Sequence, residues 1–147
     1  FMTQMVETYN KVGGNIIAAA DIPRELTYKY GILDVENETD DVTRIKNMVE
    51  KPRPEDAPST LSILGRYILQ PEIFDILENQ DKGAGGEIQL TDAMQTLLKS
   101  QSFTSVRLKG QHYDCGHHIG FIEANIAFAL KDPKFGDEMK EILKKYA

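Results

Sequence analysis

Met2-Thr3-Gln4-Met5-Val6-Glu7-Thr8-Tyr9-Asn10-Lys11 runs through Val12-Gly13-Gly14 into Asn15-Ile16-Ile17-Ala18-Ala19-Ala20. Met2, Met5, Val6 and Tyr9 recur at helical spacing, which predicts a helix over about 2–11 with one apolar stripe. Gly13-Gly14 stops that helix, because glycine adopts the left-handed geometry of helix ends without steric cost. The apolar run after it is short enough to be a buried strand. Helix, glycine turn and buried strand make an α/β unit entered partway through. Phe1 begins in this amphipathic pattern with no start-like lead-in, as if cut from something longer.

The remaining sequence fits that class. The 147 residues are 41% hydrophobic and 27% charged, the make-up of an ordinary soluble globular protein. At this length one domain is the default, burying about 70% of the surface of its unfolded chain. Cys115 is the one cysteine, so a disulfide scaffold is excluded. No apolar run approaches the roughly 20 residues of a membrane span, and no segment reads as a secretion signal. A formal charge of −6 argues against a duplex nucleic-acid binder, whose footprint would be basic. A small anionic ligand stays open, since local lysines and backbone N–H groups outweigh global charge. The expected setting is reducing and cytoplasmic.

The middle of the chain is β-rich. Tyr30 to Glu36 reads as a strand, Asn37–Asp41 as a turn, and Val42 to Val49 as the returning strand of a hairpin. Lys51 to Pro58 is too rich in proline for helix or central strand. Leu61 to Leu69 is the most apolar strand, and Pro71 suits the first turn of a helix bearing Ile73, Phe74 and Leu77. Asp81 to Glu87 is a mobile loop by composition. Thr91 or Asp92 is placed to cap a helix with Met94, Leu97 and Leu98 on its core face. Thr104 to Leu108 is another strand. Two helices end the chain, one with Ile119, Ile122, Ile126 and Ala129, the other with Phe135, Met139, Ile142, Leu143 and Tyr146. Pro133 separates them.

Five places are chemically suggestive. In Val49-Glu50-Lys51-Pro52 a carboxylate and an ammonium diverge where a strand enters a turn, and Pro52 biases Lys51 away from the α region. Glu50 can accept from a sugar hydroxyl while Lys51 meets a phosphate, or the pair is a solvated strand end. Gly31, within a strand, marks either close approach of a ligand or another backbone, or a bulge. Gly83-Ala84-Gly85-Gly86-Glu87 lacks the Lys-Ser/Thr of a P-loop and reads as a flexible loop over a site, or as a plain surface connection. Asp114, just before a helix, caps it or lies near a metal. Cys115 is most simply a small buried apolar residue. His112, His117 and His118 match no standard zinc spacing.

The order of these motifs is more telling than any one of them. Tyr-Gly-Ile-Leu-Asp, Val-Glu-Lys-Pro, Leu-Gly-Arg-Tyr-Ile-Leu, Gly-Ala-Gly-Gly-Glu-Ile-Gln-Leu-Thr-Asp-Ala and Tyr-Asp-Cys-Gly follow at compatible spacings. This series resembles the bacterial UTP–glucose-1-phosphate uridylyltransferases, or UDP-glucose pyrophosphorylases, over essentially the whole chain. Glu-Lys-Pro occurs across sugar nucleotidyltransferases, whereas the glycine-rich stretch with Tyr-Asp-Cys-Gly is specific to this branch.

The resemblance implies an α/β fold with a mixed, mainly parallel sheet flanked by helices, the Rossmann-like nucleotide-diphosphosugar transferase fold. It implies a reaction of glucose 1-phosphate with UTP that gives UDP-glucose and pyrophosphate, dependent on Mg²⁺ and without a covalent intermediate. Carried over by position, Glu50 would accept from glucose hydroxyls, Lys51 would hold phosphates, and Gly31 would offer its backbone N–H to the sugar. Gly65, Arg66 and Tyr67, at a strand end, would line the sugar pocket, with Glu87 near it. Asp114 matches an acidic residue near Mg²⁺, with helix capping still open. Lys51 and Asp114 would be the catalytic pair.

The family's nucleotide loop, Gly-x-Gly-Thr-Arg followed by Pro-Lys, is not in this sequence, nor is the principal Mg²⁺-binding aspartate. The expectation is therefore that residues 1–147 are the C-terminal, sugar-binding portion of one nucleotidyltransferase domain, ending in a helical region from about 118. That portion alone is expected to be inactive. UTP, glucose 1-phosphate and UDP-glucose are the expected partners, and the final helices would form a homo-oligomer, a dimer or tetramer. The alternatives are a non-catalytic dimerisation or interaction module, and a nucleotidyltransferase for another sugar 1-phosphate.

Overall fold

A computed structural model describes residues 2–83 and 86–146. The described residues fall into two compact units, one up to Lys109 and one from Gly110 on.

The first unit opens with α1 (Met2–Val12) and β1 (Asn15–Asp21), as the opening stretch predicts. The helix closes through Gly13 N–H to Tyr9 C=O, and Gly13 has φ +66°. Its buried side is centred on Met5 and Thr8, and Met2 and Val6 stay about half exposed, so the core-facing stripe is narrower than the spacing implied. After a short 3₁₀ turn (Arg24–Lys29) come β2 (Gly31–Val35) and β3 (Val42–Glu50), the expected hairpin. Then follow β4 (Leu61–Ile68), α2 (Ile73–Asn79), α3 (Leu90–Leu97) and β5 (Phe103–Arg107). On α2 Ile73 is buried while Phe74 is exposed.

The five strands close on themselves in the order β1-β4-β2-β3-β5, with β5 beside β1. The α/β class stands, but within this chain the sheet is mixed and mostly antiparallel. The β1–β5 pair is parallel and the other four pairings are antiparallel. A hairpin such as β2–β3 needs only a tight connection, whereas a parallel pair needs a crossover of a dozen residues or more. The parallel β1–β5 pair meets that condition, with three strands and the helices α2 and α3 between its members.

Two apolar clusters line the faces of this sheet. Ile17, Ala19, Leu33, Met48, Ile63 and Phe103 pack with Ile73, Ala93, Met94 and Leu97 of α2 and α3. Met5 of α1 packs with Ile16, Ala18 and Val106. Asn15 ties the strand ends together. Fully buried, it donates to Gln101 Oε1 (3.0 Å) and Ser102 C=O (3.2 Å) and accepts from the Gln70 N–H (2.8 Å). A buried amide is tolerated only when its polar atoms find partners, as here. At the opposite rim Arg107 meets both oxygens of Asp21 and the carbonyls of Glu38 and Asp40.

Two bulges re-aim side chains. In the β2–β3 pairing Asp34 faces Asn47 and Val35 faces Ile45, so Lys46 is an extra residue in β3. In the β1–β4 pairing Ile17 faces Tyr67 and Ala19 faces Ile63, so β4 carries two extra residues around Gly65. One extra residue switches the facing of everything beyond it, whereas two preserve it. The second unit holds α4 (His118–Lys131) and α5 (Gly136–Lys144), the two terminal helices expected on either side of Pro133. Among the described residues no helix is long and apolar enough to cross a membrane.

Asn15→Ala should lower unfolding stability by about 1–3 kcal/mol, because it strands the Gln70 N–H and takes the donor from Gln101 Oε1, while the Ser102 carbonyl keeps the backbone N–H of residue 15. Urea titration followed by circular dichroism reads this. A variant as stable as the parent would show that Asn15 ties nothing. At the Arg107 rim, the Lys109 hydrogen bond, then its charge, and Arg107's charge hold the Asp41 carboxyl below its ordinary value. The folded value lies under the unfolded one, so this contribution is complete above the unfolded value and fades as pH falls through the folded one. Lys109→Ala should therefore flatten the acid limb of the stability–pH curve.

Candidate functional site

The site grows from the end of the β2–β3 hairpin. Gly31 and Glu50, Leu33 and Met48, Val35 and Ile45 are paired across the strands. All four apolar members belong to the larger core cluster, so Gly31 and Glu50 share its face. This facing depends on the Lys46 bulge. In an unbulged strand Ile45 would share its face with Asn47 and Val49, and Glu50 would point the other way.

Glu50 turned inward meets α3. Its Oε2 accepts from the Thr91 hydroxyl at 2.7 Å, and Oε1 lies 3.6 Å from Lys51 Nζ. The Glu50 side chain is 15% exposed and that of Lys51 54%, so the carboxylate is sheltered and the ammonium reaches solvent. Gly31 makes this arrangement possible. A Cβ there would lie 2.9 Å from Ile63 Cδ1, 3.1 Å from Glu50 Oε2 and 3.4 Å from Thr91 Oγ1. The crowding at Gly31 comes from side chains of the same chain, Ile63 nearest and then Glu50 and Thr91, and the irregularity of the β2–β3 pairing lies at Asp34–Val35 and not at Gly31.

Lys51 has φ +49°, the one left-handed non-glycine among the described residues. Its N–H donates to the Tyr30 carbonyl at 3.0 Å, and the next residue, Pro52, is buried with its carbonyl accepting from Thr27 Oγ1 at 3.4 Å. Pro52 does keep Lys51 out of the right-handed helical region, though into the left-handed rather than the extended one. Holding a side-chain-bearing residue there costs roughly 1–2 kcal/mol.

Tyr67 returns to the same face through the even-numbered bulge in β4. Its phenol is pushed up first by burial and then by the negative charge of Glu50. Gly65 and Arg66 lie in the bulge itself, within β4 rather than at its end, and both are exposed, with Gly65 at φ +61°. Glu87 is exposed in the segment before α3, and its carbonyl accepts from the Gly83 N–H. Of the glycine-rich motif, Ala84 and Gly85 lie outside the described residues.

Thr91 was expected to cap α3, with Asp92 as the other choice. The N-cap is Gln89 instead, with no side-chain cap bond, and the Thr91 hydroxyl goes to Glu50.

Asp114 belongs to the second unit. Its Oδ1 accepts from the Gly116 N–H at 3.0 Å and closes a turn, while the N-cap of α4 is His117 with no side-chain bond. The capping alternative is thus corrected by one turn. Cys115 is exposed, not buried, because it sits in that turn. Among the described residues no three His, Cys, Asp or Glu side chains gather as for a metal, the three histidines included. Mg²⁺ is usually held by one or two carboxylates together with substrate phosphates and waters, so a lone exposed aspartate fits that manner of binding and not a protein cage.

The sequence profile of the nucleotidyl transferase family matches residues 2–130. The chain belongs to that family. Within it, a UTP–glucose-1-phosphate uridylyltransferase of Staphylococcus epidermidis is 39% identical over 141 residues, which are 96% of this chain and 49% of that protein. A UDP-glucose pyrophosphorylase structure complexed with UDP-glucose superimposes with a TM-score of 0.83 at 43% identity, over 89% of this chain and 50% of that one. A UTP-bound enzyme from Acinetobacter baumannii gives 0.87 at 34% identity, over 99% and 50%. This nucleotidyl transferase chain thus spans about half the length of the relatives it matches. Its expected resemblance to the uridylyltransferase branch is borne out.

Lys51→Gly should unfold about 1 kcal/mol later than Lys51→Ala, since both lose the ammonium but only glycine relieves the left-handed backbone. Equal stabilities in guanidinium titration would remove the strain from the account. Gly31→Ala should cost about 1–3 kcal/mol by the same measurement, because the Ile63 terminal methyl must turn aside within the core and the Glu50–Thr91 bond must shift.

Proposed function

We propose that this chain is the sugar-binding part of a UTP–glucose-1-phosphate uridylyltransferase. The observation that carries the reading is the convergence of Gly31, Glu50, Lys51 and Tyr67, which places a sheltered carboxylate acceptor beside a solvent-reaching ammonium. A sugar phosphate presents the complement, hydroxyl donors next to an anion. In this reading Glu50 accepts from glucose hydroxyls, the Gly31 N–H faces the sugar, and Lys51 meets phosphate oxygens. Gly65, Arg66 and Tyr67 line the pocket on the β4 side, with Glu87 nearby.

In the reaction a phosphate oxygen of glucose 1-phosphate attacks the α-phosphorus of UTP. The bond from that phosphorus to the bridging oxygen breaks, and pyrophosphate leaves. Nothing covalent forms on the protein, so its task is orientation and charge stabilisation. Lys51 supplies positive charge through a residue whose backbone is already fixed. Mg²⁺, where bound, would neutralise phosphate charge, with Asp114 the carboxylate of this chain assigned to it. The setting proposed is cytoplasmic. Self-association into a dimer or tetramer through the terminal helices is supported by the exposed Ile119, Phe121, Ile122 and Phe128 of α4.

Calorimetric titration with UDP-glucose and with glucose 1-phosphate tests the reading. The chain should bind, and Lys51→Ala and Glu50→Ala should each weaken binding on the order of tenfold or more, as expected for charge-assisted hydrogen bonds. No binding of either compound would sink the proposal and favour an interaction module. UDP-glucose formation is expected only when the chain is joined to a segment carrying the Gly-x-Gly-Thr-Arg loop. Competition of galactose 1-phosphate with glucose 1-phosphate, and of dTTP with UTP, in that longer protein would expose a different sugar or nucleotide preference.

A further inference from the structure

We propose that Thr91 is a positioning residue for the sugar-binding carboxylate, its hydroxyl fixing Glu50 so that Oε1 alone is turned toward ligand hydroxyls. This rests on the reading of Glu50 given above.

Three observations support it. First, the bond is short, at 2.7 Å, and Thr91 is buried. Second, the hydroxyl is not spent on the helix that carries it. Thr91 stands two residues after the N-cap, Gln89, and α3 has no side-chain cap bond, so the hydroxyl goes across to Glu50. Third, the donor is rigid. The β-branched Thr91 has few rotamers, and the next two turns of α3 are anchored by Ala93, Met94 and Leu97, all nearly or fully buried.

The other neighbours of Glu50 are poorer at this task. Lys51 Nζ stands 3.6 Å from Oε1 on a half-exposed, flexible side chain, and exposed ion pairs of that kind orient weakly. Gly31 offers only space. A glutamate has three side-chain torsions to restrain, and among the described residues the Thr91 bond is the one hydrogen bond to its carboxylate. A neutral donor also suits the role. It holds one oxygen without cancelling the negative charge, so the other oxygen keeps its full strength as an acceptor for sugar hydroxyls.

The test compares the complete chain with Thr91→Val, which keeps shape and branching, and Thr91→Ser, which keeps the hydroxyl. Titration with UDP-glucose should show Thr91→Val weaker by roughly ten- to a hundredfold, the range for a lost hydrogen bond to a charged group, and Thr91→Ser restored to within about threefold. A purely structural threonine would lower the midpoint of unfolding and leave affinity alone, and that result overturns the proposal. So does a serine variant as weak as the valine. A second arm needs no ligand. Denaturant unfolding of Thr91→Val, Glu50→Ala and the double variant should be non-additive by about tenfold in the unfolding equilibrium constant, whereas additivity means that no bond joins the two residues. If the parent chain binds no UDP-glucose, the functional reading falls while the unfolding cycle still decides whether Thr91 holds Glu50.

Discussion

The site depends on parity. A strand shows its side chains alternately to its two faces, so a single inserted residue decides which way all that follow will look. Lys46 is that residue in β3. It lets Ile45 and Met48 both enter the core and sends Glu50 after them, toward α3 and over the bare backbone of Gly31. An ion pair of 2.8 Å between Lys46 and Asp34 spans the irregularity, and Gln95 of α3 bonds Asn47 beside it. The energetic case for burying a carboxylate is then local. Thr91 supplies a donor, Lys51 a nearby positive charge, and the strand end keeps the group near solvent.

Around that point the unit separates what is held from what is offered. Asn15 and the two apolar clusters fix the sheet, and α3 is fastened to it by its buried side. Lys51, Gly65 and Arg66 stand outward. A chain with an overall charge of −6 is not made for anions as a whole. In the proposed reading, recognition of a phosphate comes from one ammonium and from backbone donors acting at short range, where geometry counts for more than net charge.

The elements were legible because their signals are local. The helix of 2–12, the glycine stop, the hairpin and the two terminal helices follow from apolar spacing and from Gly and Pro. Gly31, Glu50 and Lys51 stand out in the sequence as positions of the Tyr-Gly-Ile-Leu-Asp and Val-Glu-Lys-Pro motifs. What the sequence did not disclose were the facts that need two strands at once. Nothing in Arg44-Ile45-Lys46-Asn47-Met48 names Lys46 as the unpaired residue, since a bulge exists only relative to its partner strand. Likewise Thr91 carries the mark of a helix cap, and only the arrival of Glu50 from across the unit gives its hydroxyl another use. The prevailing antiparallel pairing was hidden for the same reason, since the chain's own connections set it and no residue pattern does. Phe74 and Val6, apolar but exposed, show the opposite error, of spacing that overstates burial.

The closing of the strand ring has a temporal side. Residue 15 lies beside residue 103, and α1, four strands and two more helices must be made before β5 exists to join β1. A pairing between such distant segments carries a large loop-closure cost and belongs to the slow, late part of folding. On a ribosome, which releases the chain from its N-terminus, β1 and β3 would each wait with one open side until Phe103–Arg107 emerged. During that interval their unpaired backbone groups are a site for chaperone capture or for pairing with a neighbouring nascent chain, and the arrival of five residues ends the exposure of both strands at once.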